Sequence, residues 1–176
     1  MYDSKTSYKR FPRVPNDRRI GAFAIDFLTV WFISSFFGVS FQWLVFILVW
    51  LGMRVVLGDK NQGQSLGKWA LDIKVIDPRF NRVPSLVDLA KREGAVGIAA
   101  MLATIGLQIN FKNGLSMLLL LAPLLVDCAI AIADENYNQA LHDRLAQTAV
   151  TQTKRGFSLD LRLKKIVAQI RRSMQK

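Results

Sequence analysis

Four apolar stretches, residues 20–38, 41–57, 94–109 and 115–133, are separated by polar segments along the chain. At about 1.5 Å of rise per helical residue each approaches the length that crosses roughly 30 Å of hydrocarbon, the second and third being the shortest. The links within each pair are tiny, Val39-Ser40 in one and residues 110–114 in the other, so each pair must turn back on itself as an antiparallel hairpin. The pattern predicts an all-α membrane fold: four transmembrane helices as two hairpins, an interfacial middle loop and a C-terminal amphipathic helix. The corresponding divisions are a basic tail over residues 1–17, a membrane region over 18–150 and a basic amphipathic segment over 151–176.

The middle loop, residues 58–93, is patterned. Leu71, Ile73 and Val75 alternate with Asp72 and Lys74, the two-residue period of a strand or an interfacial segment. Pro78 and Pro84 punctuate it, and Ser85 followed by Asp88 has the spacing of a helix N-terminus, which predicts an elbow helix at the membrane surface. Beyond residue 158, Leu159, Leu163, Ile166, Ile170 and Met174 recur every three or four positions, with Arg162, Lys164, Lys165, Arg171 and Arg172 largely opposite. Such a helix suits an anionic lipid surface, an acidic partner or the protein's own polar face.

Charge sets the orientation. Of 24 Lys and Arg, six lie at or before Arg19, seven in the middle loop and nine after residue 133, which puts 22 on one side of the four stretches. The positive-inside rule then predicts that both termini and the middle loop are cytoplasmic, in a bacterial inner membrane or an equivalent such as the thylakoid. A net charge of +11 in a soluble chain would suggest nucleic acid; this segregation argues against nucleic acid and for anionic lipid. The first apolar stretch follows about twenty polar residues and is too long for a signal core, so it reads as a retained span. The single cysteine, Cys128, has no disulfide partner in the chain and leaves the compartment unread.

Candidate chemistry is sparse. Asp26 lies within the first stretch, where a carboxylate costs roughly 2.5–3.5 kcal/mol to insert. Asp127 sits at similar depth in the fourth, and two facing carboxylates would share a proton or hold a cation. Alternatively each acid hydrogen-bonds Thr29, Ser34 or Thr104, backbone, or Arg19 and Arg54, and fixes helix register; Arg54 most simply extends to the interface. Pro123 predicts a kink. His142-Asp143-Arg144 follows the fourth stretch, and Asp143 is placed to meet Arg19 or Lys68. Neighbouring positions on a helix point apart and no Ser or Cys nucleophile accompanies them, so no catalytic residue and no enzymatic role is expected. One His and one Cys make no metal cluster, and Gly63, Gly67 and Lys68 miss the spacing of a phosphate loop. No cofactor is expected.

Arg19-x6-Asp26, Gly63-Gln-Ser-Leu-Gly-Lys68 with Leu71-x-Ile-x-Val-Ile-Asp77, Arg92 before the third stretch, and Leu141-His-Asp-Arg-Leu-Ala-Gln-Thr148 together resemble the RDD family of bacterial membrane proteins, named for one arginine and two aspartates. The resemblance covers about residues 18–150. It implies that Arg19 and Asp26 are the first two named residues and that Asp143 is the best match for the third, with Asp127 as its competitor. For some members of the family it also implies transport, including sodium/proton exchange. The candidate polar or ion-binding cluster is therefore Arg19, Asp26, Asp127 and Asp143. Gln64, Lys68, His142, Arg144, Arg162, Lys165, Arg171 and Arg172 are candidates for contacts at the interface or with a partner. Two functions remain open: a scaffold or accessory subunit held among other membrane subunits or copies of itself, and a small cation, proton or solute carrier.

Overall fold

The computed structural model describes residues 14–108, 113–134 and 139–153, together with residues 158, 159, 161, 162, 165, 166, 168 and 169. Helix α1 (Asn16–Ser35) begins after Pro15, whose fixed φ suits a helix entry, and carries Asp17 in its first turn, where a negative charge favours the helix dipole. A two-residue turn leads into α2 (Gly38–Leu51). The rod continues through a π-helical segment (Gly52–Val56) into α3 (Leu57–Lys60), giving one helical run of 23 residues. Then come α4 (Leu66–Ala70), strand β1 (Ile73–Ile76), α5 (Leu86–Gln108), α6 (Gly114–Ala133), α7 (Leu141–Leu145) and strand β2 (Ala149–Gln152).

Three helices meet through four-residue stripes, as the helical repeat requires. Ala22, Asp26, Val30 and Ser34 form the buried face of α1, and Gln42, Phe46 and Trp50 that of α2. Helix α5 answers with a small-residue face that includes Val96, Gly97, Ala100 and Ala103. Val30, Phe46, Trp50, Val96 and Ala100 make the main core. Gly97 is small for a reason: a Cβ there would stand 2.7 Å from Trp50 Cδ1. Trp50 in turn donates its indole N–H to the Glu93 carbonyl at 3.0 Å, which fixes the rotation of α2 against α5. At the far end of the same pair, Gln108 donates to Gln42 at 2.8 Å.

Two helical runs, Gly38–Lys60 and Gly114–Ala133, are long and apolar enough to cross a membrane. Helix α6 has no buried residue although it is among the most apolar segments, the reverse of a soluble protein's core helix. It runs unbroken through Pro123 and packs mainly on α5.

Of the two readings of the middle segment, the structure takes the strand and corrects the interfacial loop. The alternating residues form β1, which pairs antiparallel with β2 in the register Ile73↔Gln152, Val75↔Val150. The strand at 149–152 was not expected from sequence, and it runs across residue 150. The elbow helix is corrected as well: Ser85 caps the start of α5, giving its hydroxyl to Asp88 at 2.7 Å and accepting the Asp88 N–H at 3.2 Å, and the helix runs on without a break to Gln108. In the C-terminal segment, residues 159, 161, 162, 165, 166, 168 and 169 are helical and exposed. Arg162 and Lys165 are among these, whereas Arg171 and Arg172, like Leu163, Lys164, Ile170 and Met174, lie outside the described residues.

Candidate functional site

One end of the bundle is held by a chain of ionisable side chains with little access to solvent. Asp26, on α1, receives the Ser65 hydroxyl at 2.6 Å on one oxygen and the Gly67 N–H at 2.7 Å on the other. Arg54, from the π-helical segment, stands 3.7 Å from Asp26 and 2.7 Å from Glu93 Oε2. Glu93, on α5, also takes Lys68 Nζ at 2.8 Å and Arg92 Nη1 at 2.6 Å. Arg92 reaches on to Asp143 through Nε at 2.8 Å, and Arg19 bonds the other oxygen of Asp143. His142 then joins Asp127, its Nδ1 at 2.7 Å from Oδ2 and its backbone N–H at 3.2 Å from Oδ1. The other ring nitrogen of His142, Nε2, stands 3.4 Å from both Arg92 Nη2 and Asp143 Oδ1, so the imidazole links the Asp127 end of the chain to Arg92 and Asp143.

The sequence builds this array locally. Gly63 adopts φ +83°, and a Cβ there would stand 2.3 Å from the Val75 carbonyl, so the turn into α4 needs glycine. Gln64 donates to the Ile73 carbonyl at 2.9 Å and ties that turn to β1. Ser65 caps α4. Gly67 allows α4 to touch α1: a Cβ would lie 2.1 Å from the Ala22 carbonyl oxygen. At α7, Asp143 accepts the Ala140 N–H at 3.2 Å, and its own carbonyl receives the Thr148 N–H at 2.9 Å. The π-helical segment turns both Arg54 and Val55 inward.

The acids Asp26, Glu93, Asp127 and Asp143 balance the bases Arg19, Arg54, Lys68 and Arg92 one for one. Burial works against each charge singly, and the pairing sets the outcome. It would raise the Asp143 carboxyl, yet Arg92, His142 and Arg19 hold that group well below the usual carboxylate range. Burial pushes the Lys68 ammonium down to about 7, with Glu93 pulling in the opposite direction.

Several expectations are corrected. Asp26 and Asp127 do not form a facing carboxylate pair: Asp26 is held by Ser65, Gly67 and Arg54, and Asp127 by His142. The hydroxyls of Thr29, Ser34 and Thr104 serve none of the acids, since each donates to a carbonyl of its own helix three or four residues back. Arg54 does not extend to the interface; it is 4% exposed and lies over the Trp50 ring at 4.6 Å. Gln64 and Lys68 are buried, so they line no outer interface. Asp143 meets Arg19, as anticipated, but Lys68 turns to Glu93. Arg144 is exposed and stands 3.5 Å from Asp134.

Glu93, the acid that gathers three cations, was missed from sequence. Its one visible signal is its place directly after Lys91-Arg92 at the entry to an apolar stretch, where it reads as the last residue of the middle loop.

Beside the array lies a pocket of about 110 Å³ whose wall includes Arg19, Arg54, Lys68, Arg92, Asp127 and His142, with apolar residues of α1 and α6 and with Ile73, Val96 and Val150. Among the described residues no group of acids, histidines and cysteine is placed to hold a metal ion.

No curated protein and no solved structure matches this chain. A family model described as the RDD family matches residues 14–147, which span α1 through α7, and the chain belongs to the RDD family.

Proposed function

We propose that this protein is a non-enzymatic, four-span membrane protein, both termini cytoplasmic, that acts as a scaffold or accessory subunit of a larger membrane complex. The RDD family and two long apolar helices support a membrane protein. The segregation of 22 of 24 basic residues supports the four-span orientation. In that orientation α1 and α5 are the other two spans, and their charged residues lie toward the cytoplasmic ends except Asp26, which sits midway along α1.

The observation that carries the scaffold reading is the closed charge balance. Asp26, Glu93 and Asp143 are each committed to donors of the same chain, so they lock the helix ends to α4 and α7 and keep no ligand set for a travelling cation. The wholly unburied face of α6 is then left for lipid or neighbouring helices. The third residue of the family name is assigned to Asp143, because it bonds Arg19 directly.

A carrier is the second reading, and the Asp127–His142 pair favours it: both side chains line the pocket and keep 14% and 12% of their surface exposed. Two experiments test these readings. Alkaline phosphatase fused after residue 112 is active and green fluorescent protein fused after residue 153 is fluorescent if the orientation is right; the reverse pattern overturns it. In proteoliposomes the scaffold gives no cation-driven proton flux, while truncation before Phe157 releases co-purifying membrane subunits. Flux that disappears in Asp127→Asn and Asp26→Asn establishes the carrier instead.

A further inference from the structure

We infer that the pocket between α1 and α6 is a binding site for an anionic phospholipid, taking the headgroup phosphate against Arg54 and Arg19 and an acyl chain along α6. This rests on the membrane placement of the helices and is independent of the choice between scaffold and carrier.

Three features point to such a ligand. All four cationic residues of the array contribute to the pocket wall, whereas Asp26, Glu93 and Asp143 do not line it. Asp127 is the acid on the wall, and both its oxygens are engaged by His142. A ligand phosphate thus meets a positive face within a neutral cluster.

Next, Arg54 is incompletely satisfied. It is 4% exposed, lines the pocket, and its Nη1 has no hydrogen-bond partner among the described residues. The Nε contact with Glu93 at 2.7 Å is an ion pair without hydrogen-bond alignment. A buried guanidinium nitrogen without a partner, on a side chain that lines the pocket, is a donor that a small turn of the guanidinium brings to an anionic oxygen, since leaving it unpaired is costly.

The mouth, finally, is apolar. Ile20 on α1 and Ile132 on α6 border the pocket and are 54% and 59% exposed, and Leu124 continues the wall along α6. A free inorganic anion has no use for such a rim. A lipid does, because the headgroup reaches the arginines while the chain stays among the same apolar side chains that face hydrocarbon.

The test uses the full chain purified in mild detergent, stripped of lipid, and examined by native mass spectrometry with added phosphatidylglycerol or phosphatidylcholine of the same acyl chains. The expected result is retention of one phosphatidylglycerol about tenfold more tightly than phosphatidylcholine. Leu124→Trp, which fills the apolar part without touching an ion pair, abolishes that preference with helical circular dichroism unchanged, and Arg54→Gln does the same if it folds. Equal retention of the two lipids overturns the site, as does a preference that survives Leu124→Trp. Displacement of phosphatidylglycerol by millimolar inorganic phosphate overturns the lipid as ligand. A chain that remains in solution without detergent instead overturns the membrane placement, a separate failure.

Discussion

Glu93→Gln is the sharpest perturbation of the buried array. The glutamine keeps the shape of the side chain and removes one negative charge from the centre of Arg54, Lys68 and Arg92, whose contacts with it measure 2.7, 2.8 and 2.6 Å. Each of these cations has a side-chain exposure of 5% or less, so water does little to replace the lost partner. Lys68, already brought down to about 7 by burial, loses the acid that holds its proton, while Arg54 and Arg92 stay charged and lose a partner. Removing one member of a buried ion pair costs about 3–5 kcal/mol, because the remaining charge has no compensation. At about 1.4 kcal/mol per decade, that lowers the folded-to-unfolded ratio by roughly two to four powers of ten. Size-exclusion of the detergent-solubilised protein after heating gives the midpoint of loss. The expected outcome is a large drop for Glu93→Gln and a partial return in Glu93→Gln with Lys68→Met, because the second change restores neutrality with an apolar chain of similar length. A return of about 1–3 kcal/mol is the scale for groups in direct contact. The reasoning is refuted if Glu93→Gln lies within about 0.5 kcal/mol of the parent, a surface-like effect. It is also refuted if the double variant is no more stable than Glu93→Gln alone, since charge balance would then not be what holds the array.

Gly67→Ala places a Cβ 2.1 Å from the Ala22 carbonyl and must push α4 off α1; a loss of about 1–3 kcal/mol is expected, measured against the exposed Leu66→Ala as control. Lys68 has a folded value of about 7 against an ordinary 10.5, so between those pH values the unfolded chain binds more protons and the Lys68 contribution to stability rises with pH. The thermal midpoint should climb from pH 7 toward 9, and Lys68→Met should remove that slope. Asp143 shows the opposite case: its folded value is depressed, so its contribution is complete above its ordinary 3.8 and is lost as pH falls through the lower folded value. Acid melts should therefore show its loss only below about pH 4, and Asp143→Asn should flatten that limb while lowering stability at neutral pH. Gly97→Ala should displace Trp50, whose Cδ1 would be 2.7 Å away, and a changed near-ultraviolet dichroism spectrum reports it.

Periodicity and charge placement determined the helical class, the two tight hairpin links and the asymmetry of basic residues, because each is a property of neighbouring positions. They also singled out Asp26 and Asp127, since an acid inside an apolar run is costly wherever it finds its partner, while the family resemblance added Arg19 and Asp143. The chain's spacing of Gly63, Ser65, Gly67 and Lys68 was visible too, but its purpose was not. Only packing reveals that Gly67 exists so that α4 can press on the Ala22 carbonyl and offer its N–H to Asp26.

Pairing between distant segments was beyond reach for the same reason. Local pattern assigns a strand period to residues 71–75, but the partner of that strand lies more than seventy positions later at Ala149–Gln152. Arg54 near a helix end reads locally as a side chain bound for the interface; the π-helical turn and the face of Trp50 bring it inward. Asp26 and Asp127 looked like partners because their depths match, yet the tertiary structure gives one to α4 and the other to His142. The sequence by itself determined that Asp26 and Asp127 lie within apolar runs, because hydropathy is additive along the chain. Which charges neutralise one another was decided by the tertiary structure, because electrostatic pairing depends on distances that only folding sets.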